Sequence, residues 1–133
     1  MARLLVVEDE PDIRDLIALN LLTGGHRVLA AADAAGALET VDSLGAPDAY
    51  VLDVQLPDVD GFELLAKLRE AAEPDIPAIF VSAFGQPSNV ERGAQMGAAA
   101  YLVKPVGARR LLGVVDRALT SRPSGGDAAE HAW

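Results

Sequence analysis

Short apolar runs alternate along this chain with segments whose apolar residues recur every three or four positions. Arg3 to Val7 is a largely apolar run of strand length. Pro11, at a first helical turn after Asp9-Glu10, starts a helix with Ile13, Leu16, Ile17 and Leu21 on one side, and Gly24-Gly25 ends it. His26 to Ala31 reads as a second strand. Asp33 is placed to cap a helix carrying Leu38, Val41 and Leu44, with Gly45 as its stop. Ala49 to Leu52 is a third strand, ending at Asp53; a loop from Val54 to Gly61, longer than scaffold alone requires, precedes the helix of Phe62, Leu65 and Leu68. Pro74 and Pro77 bracket a turn into a fourth strand, Ala78 to Val81, which ends at Ser82. After a loop with Gly85 and Pro87, Ser88 is placed to cap a weak, polar helix that runs through Met96 and closes at Gly97. Ala99 to Val103 is a fifth strand ending at Lys104-Pro105, and a last helix from about Ala108 to Leu119 turns Leu111, Leu112, Val115 and Leu119 inward.

Strand and helix in regular alternation predict βα units feeding a parallel sheet. The 133 residues, half of them hydrophobic, suffice for one core without staples and leave no room for a second domain. The expected organisation is one domain over residues 1–120 and a Ser/Pro/Gly tail or linker over 121–133. The absence of cysteine removes disulfides, thiolate metal sites and a cysteine nucleophile. Met1-Ala2-Arg3 leads at once into the first strand, which is neither a signal peptide nor a membrane span, so a soluble, cytoplasmic chain is expected. Eleven basic residues against twenty acidic ones give a net charge of −9, the wrong sign for binding nucleic acid directly.

The chemistry collects where the strands end. Glu8-Asp9, Asp53, Ser82 and Lys104-Pro105 each close an apolar run, and in open α/β sheets ligands sit beyond the carboxyl ends of the strands. Acid, acid, hydroxyl and cation, in that order, are what a site needs to hold a divalent metal and receive a phosphoryl group on a carboxylate, and Asp53 is the carboxylate expected to receive it. Glu10, Asp12 and Asp15 are better read as acids favoured at a helix start, and Glu8 and Asp9 as acids that need a cation between them. His26, after a Gly-Gly turn, and His131, in the tail, have no ligand spacing around them and read as structural or incidental.

From Arg3 to about Leu119 the chain resembles the receiver domains of two-component response regulators. The resemblance rests on a set of segments in the family's order and approximate spacing: Val6-Val7-Glu8-Asp9-Glu10, Leu52-Asp53-Val54-Gln55-Leu56-Pro57-Asp58-Val59-Asp60-Gly61, Val81-Ser82-Ala83 and Tyr101-Leu102-Val103-Lys104-Pro105.

The resemblance implies a flavodoxin-like (βα)5 doubly wound parallel sheet with strand order 2-1-3-4-5, which brings Asp9 and Asp53 together. It implies Mg2+ as cofactor, ligated by Asp9, Asp53 and the backbone carbonyl of Gln55, with Glu8 acting through water. Asp53 would take the phosphoryl group from a phosphohistidine on a sensor histidine kinase or phosphotransfer protein, while Lys104 offsets charge in transfer. The Lys104-Pro105 bond would be cis. Ser82, where the family often has Thr, would turn its hydroxyl to the phosphoryl group, and Tyr101 would fill the space it leaves, altering the face of the fourth helix, fifth strand and fifth helix. The first helix and the loop after the fifth strand would meet the kinase, here through Ile13, Arg14, Ile17 and Pro105-Val106. On this reading the chain is a signalling domain that catalyses only its own phosphorylation and dephosphorylation. It acts on an effector domain or protein, with a homodimer on phosphorylation left open.

Two departures bear on the output face: Ala99-Ala100 stands where many receivers that dimerise there carry acids, and Val106-Gly107 where Phe is frequent. Gln55 and Phe84 occupy positions that in the family tune water access to the phosphoryl group. Among other classes, a haloacid-dehalogenase-like, Mg-dependent phosphohydrolase wants a second acid where Gln55 stands, and a flavin mononucleotide module would find phosphate repelled by Glu8-Asp9-Glu10. A receiver that has lost phosphorylation would be expected to lack Asp9, Asp53 or Lys104. The remaining alternative is an N-terminal receiver fragment of a larger transcriptional regulator.

Overall fold

The structure is a computed structural model that describes residues 2–120; the expected tail, with His131, lies outside the described residues. Strands and helices alternate as β1 (Arg3–Val7), α1 (Pro11–Thr23), β2 (Arg27–Ala31), α2 (Ala34–Leu44), β3 (Ala49–Leu52), α3 (Gly61–Ala71), β4 (Ala78–Ser82), α4 (Pro87–Gln95), β5 (Ala100–Val103) and α5 (Ala108–Thr120). All strand pairs are parallel, in the order β2-β1-β3-β4-β5. No helix among the described residues is long and apolar enough to cross a membrane.

Helices on both faces explain why the central strands read as unbroken apolar runs rather than alternating ones. Successive residues still point to opposite sides. Leu5, Val7, Tyr50, Leu52, Ala78 and Phe80 join one core with residues of α2 and α3, whereas Leu4, Val6, Ala49, Val51, Ile79 and Val81 join the other with α1 and α5. Register then sets the site: Val7 lies opposite Leu52, so the residues one step beyond them, Glu8 and Asp53, emerge side by side.

Several local expectations need correction. Leu16 is 56% exposed although Ile17 and Leu21 are buried. Positions 13, 17 and 21 share one line along α1, while Leu16 lies about 100° round from Ile17. Leu44 is equally exposed, being the last residue of α2 and about 120° round from Leu38. Ser88 does not cap α4. Proline, with no amide hydrogen to satisfy, takes the first turn at Pro87, and Gln86 stands at the N-cap without a side-chain bond. His26 precedes β2 rather than opening it; its Nδ1 accepts from the Ala2 amide at 3.3 Å and its Nε2 lies 3.0 Å from the Asp116 carboxylate, tying the start of the sheet to α5. The structural reading of this histidine is the right one.

Gly113 lies in the interior of α5 on its exposed side, and a Cβ built there meets nothing within 4 Å. Glycine in a helix interior costs about 1 kcal/mol relative to alanine. Gly113→Ala should therefore stabilise the fold by about that amount, read as a higher urea midpoint with an unchanged slope. A lower midpoint would show that α5 relies on the bare backbone at this position.

Candidate functional site

Each site residue hangs on the sheet by one hydrogen bond beyond the end of its strand. The Glu8 amide donates to the Ala31 carbonyl at 3.0 Å, the Asp53 amide to that of Val7 at 3.0 Å, and the Lys104 amide to that of Ser82 at 2.8 Å. The backbone under all three is therefore as ordered as the sheet itself. Glu8, Asp53 and Ser82 are the polar residues buried here, at 1%, 5% and 0% exposure. Asp9 is exposed.

The ammonium of Lys104 reaches both buried carboxylates, 2.6 Å from Glu8 Oε1 and 3.0 Å from Asp53 Oδ2. The other oxygens are also occupied: Glu8 Oε2 accepts from the Glu10 amide at 3.1 Å, and Asp53 Oδ1 from the Gln55 amide at 3.0 Å. Burial pushes the Glu8 carboxyl up, outweighing the hydrogen bond from Lys104 that pulls it down. Burial also pulls the Lys104 ammonium down, yet its bonds to Glu8 and Asp53 together leave it raised. The Lys104-Pro105 peptide bond is cis.

One carboxylate oxygen each from Glu8, Asp9 and Asp53 can lie within 4.8 Å of one another. Three carboxylates against one ammonium leave the cluster net negative, and hard oxygen donors with this spacing suit a small divalent cation that keeps several waters.

Ser82 Oγ accepts from the Phe84 amide at 3.1 Å. Tyr101 is buried, with its hydroxyl donating to the Phe84 carbonyl, so serine and tyrosine meet the same residue of the β4-α4 loop. Burial, above all, holds the Tyr101 phenol above its usual range. Its ring lies 6.2 Å from Phe80, which in turn lies 4.8 Å from Phe62 at the start of α3.

Three further residues carry the site without announcing it in the sequence. Gly61 is required by close approach: a Cβ there would meet the Asp53 carbonyl oxygen at 2.2 Å. Asp60 caps α3 through the Glu63 amide at 2.8 Å and lies 3.6 Å from Arg92 of α4, whose guanidinium stands 4.5 Å over the Phe62 ring. Asp58, midway along the loop that follows Asp53, accepts from the amides of Ala34 and Ala35 at 3.0 Å each and of Val59 at 2.9 Å, pinning that loop to the N-terminus of α2. Only the Asp-x-Asp-Gly run before a helix hinted at any of these.

A family model for the response regulator receiver domain matches residues 4–116. The chain is similar to the DNA-binding dual master transcriptional regulator RpaA of Synechocystis sp., at 35% identity over 99% of this chain and 55% of that protein. It is also similar to the transcriptional regulatory protein TcrA of Mycobacterium tuberculosis, at 44% identity over 77% of this chain and 40% of that protein. The chain thus spans about half the length of these curated relatives. Among solved structures it resembles a CheY-like response regulator receiver domain protein from Methanospirillum hungatei, with a TM-score of 0.85 and 30% identity over 95% of this chain and 99% of that one.

The Ala34 amide, and after it those of Ala35 and Val59, hold the Asp58 carboxyl below the usual carboxylate range. A carboxyl depressed in the folded state adds stability that is present above its unfolded value of about 3.9 and is lost as pH falls through the folded one. Asp58→Ala should cost about 1 kcal/mol at neutral pH, as loss of a helix cap does. The gap in melting temperature from the unsubstituted protein should narrow below about pH 4. An equal gap at pH 7 and pH 3 would show that the contribution is not ionic.

Proposed function

The chain belongs to the response regulator receiver domain family, and from that membership and the geometry at its strand ends we propose that Asp53 is the carboxylate that accepts the phosphoryl group. The observation that carries this is the Lys104 ammonium lying between Glu8 and Asp53, which puts a cation against the Asp53 carboxylate at the end of its strand. A carboxylate oxygen of Asp53 attacks the phosphorus of a phosphohistidine. The phosphorus–nitrogen bond breaks, a phosphorus–oxygen bond forms, and the imidazole leaves.

Lys104 then pairs with a phosphoryl oxygen, so charge that moves onto the equatorial oxygens is met by a cation already in place. Ser82 gives up its contact with the Phe84 amide and donates its hydroxyl to a second oxygen. Because Tyr101 shares the Phe84 backbone with Ser82, that turn is felt at Tyr101 and so at the face of α4, β5 and α5. Asp9, Asp53 and the Gln55 carbonyl, with Glu8 through water, would hold Mg2+, which would supply further neutralisation of the phosphoryl oxygens. No external substrate is turned over; the chemistry begins and ends on Asp53.

The donor is read as a sensor histidine kinase or phosphotransfer protein, met by this chain in the cytoplasm. A groove of about 150 Å3 between α1 and the loop after β5 supports this, lined by Ile13, Ile17, Pro105, Val106 and Leu111 and reaching Lys104. Leu16, Leu19 and Leu22 extend apolar surface along the exposed side of α1. A helix docked there would bring its histidine to Asp53. Because the relatives are transcriptional regulators about twice as long, the output is read as control of an effector domain or protein that itself contacts DNA, this acidic domain making no such contact.

Incubation with magnesium and a small acyl phosphate should add the mass of one phosphate in an alkali-labile form, and Asp53→Asn should abolish it. Label that resists neutral hydroxylamine, which cleaves an acyl phosphate and spares a phosphate ester, would point to a serine and overturn the assignment. Asp9→Asn should weaken magnesium binding, read by calorimetry, by at least about 10-fold with the fold intact. An unchanged affinity would remove Asp9 from the metal.

A further inference from the structure

Asp9 stands apart from its two neighbours in the site. Glu8 and Asp53 each have both carboxylate oxygens engaged, by Lys104 and by an amide. The carboxylate of Asp9 is exposed, and among the described residues no hydrogen bond ends on it. With no partner to fix its torsions, the region it can reach is set by where its backbone sits. The Glu8 amide ties the near side of that backbone to the sheet, and its carbonyls are gathered by the guanidinium of Arg14, one turn into α1: Nη1 donates to the carbonyl of Glu8 at 2.8 Å and lies 3.5 Å from that of Asp9.

Resting on the reading of Glu8, Asp9 and Asp53 as a metal site, we propose that Arg14 is a positioning residue for the metal, fixing the peptide that aims the Asp9 carboxylate. The sequence suggested a different use for this side chain, contact with a kinase, but its guanidinium is turned onto the acidic loop.

Charge and position pull in opposite directions here. A guanidinium near a cation site repels the cation, so on charge alone its removal would tighten magnesium binding. On position its removal loosens it, because the groups that orient metal ligands are typically worth 10-fold or more in affinity. Arg14→Lys separates the two further. Lysine keeps the charge but offers a flexible point donor in place of a planar fork, so a charge effect would leave affinity unchanged and a positional one would not.

Calorimetric titration of the full chain with magnesium chloride tests this, with thermal melts in a chelator as the check on folding. Arg14→Ala should raise the magnesium dissociation constant about 10-fold, and Arg14→Lys should fall between it and the unsubstituted protein. Labelling by a small acyl phosphate should slow at limiting magnesium and recover at saturating magnesium. Unchanged or tighter magnesium binding in the two variants overturns the proposal, as does slowing confined to transfer from a kinase, which returns Arg14 to the docking surface. If Arg14→Ala does not fold, Arg14→Lys carries the same test. Asp9→Asn in parallel keeps the two readings distinct: normal magnesium binding in that variant sinks the metal site itself, whatever Arg14 does.

Discussion

Lys104 stands between two buried carboxylates that the sheet forces together, and the rest of the site follows from that arrangement. Strand order places β1 beside β3, and register then delivers Glu8 and Asp53 to adjacent positions, where two ionised groups would repel at short range. The ammonium, from a strand two places away, bonds to both. Removing one member of a buried ionic set costs about 3–5 kcal/mol because it strands the others. The cluster is thus built for a further positive charge rather than for rest: Glu8 is raised by burial despite its partner, and Asp9 adds a third carboxylate without an ammonium of its own. A buried set that is incompletely neutralised is a poor way to stabilise a fold and a good way to attract a cation.

The strands and their order of use were readable in the chain because parallel strands covered on both faces leave continuous apolar runs, and each run stops at a residue with chemistry. Asp53, Ser82 and Lys104 could be picked out as strand ends before any contact was known. What could not be read was which way a side chain turns once it leaves its element. Leu16 and Ile17 are adjacent and equally apolar, and only packing against the sheet decides that one is buried and the other exposed. Arg14 looked like a surface residue of an amphipathic helix, yet it folds back on the loop before it. Nothing near Asp58 in the chain marked its role, since its partners, the Ala34 and Ala35 amides, lie more than twenty residues away.

Two sets of contacts run from the strand ends toward α4. One passes from Ser82 and Tyr101 through the Phe84 backbone into the β4-α4 loop. The other begins at Gly61, which lies against the Asp53 carbonyl so closely that no side chain fits. It continues through Asp60 and Phe62 to Arg92 of α4. Phe62, Phe80 and Tyr101 pack in sequence, so the two sets meet at one aromatic row.

The helix that both sets reach is the one least able to resist them. Gly93 is the buried residue of α4, whereas α3 buries Phe62, Leu64, Leu65 and Leu68. A helix with so little apolar anchorage gains its place from contacts at its ends, here Arg92 on Asp60 and Phe62, and the Arg69 guanidinium on the Met96 carbonyl at its C-cap. Elements that move in a switch are drawn from the less stable part of a fold. In α4 that weaker anchorage follows from composition, a proline, a glycine and polar residues where α3 has leucines, and Gly61, which lies against the Asp53 carbonyl, sits in sequence between the two residues that hold this helix, Asp60 and Phe62.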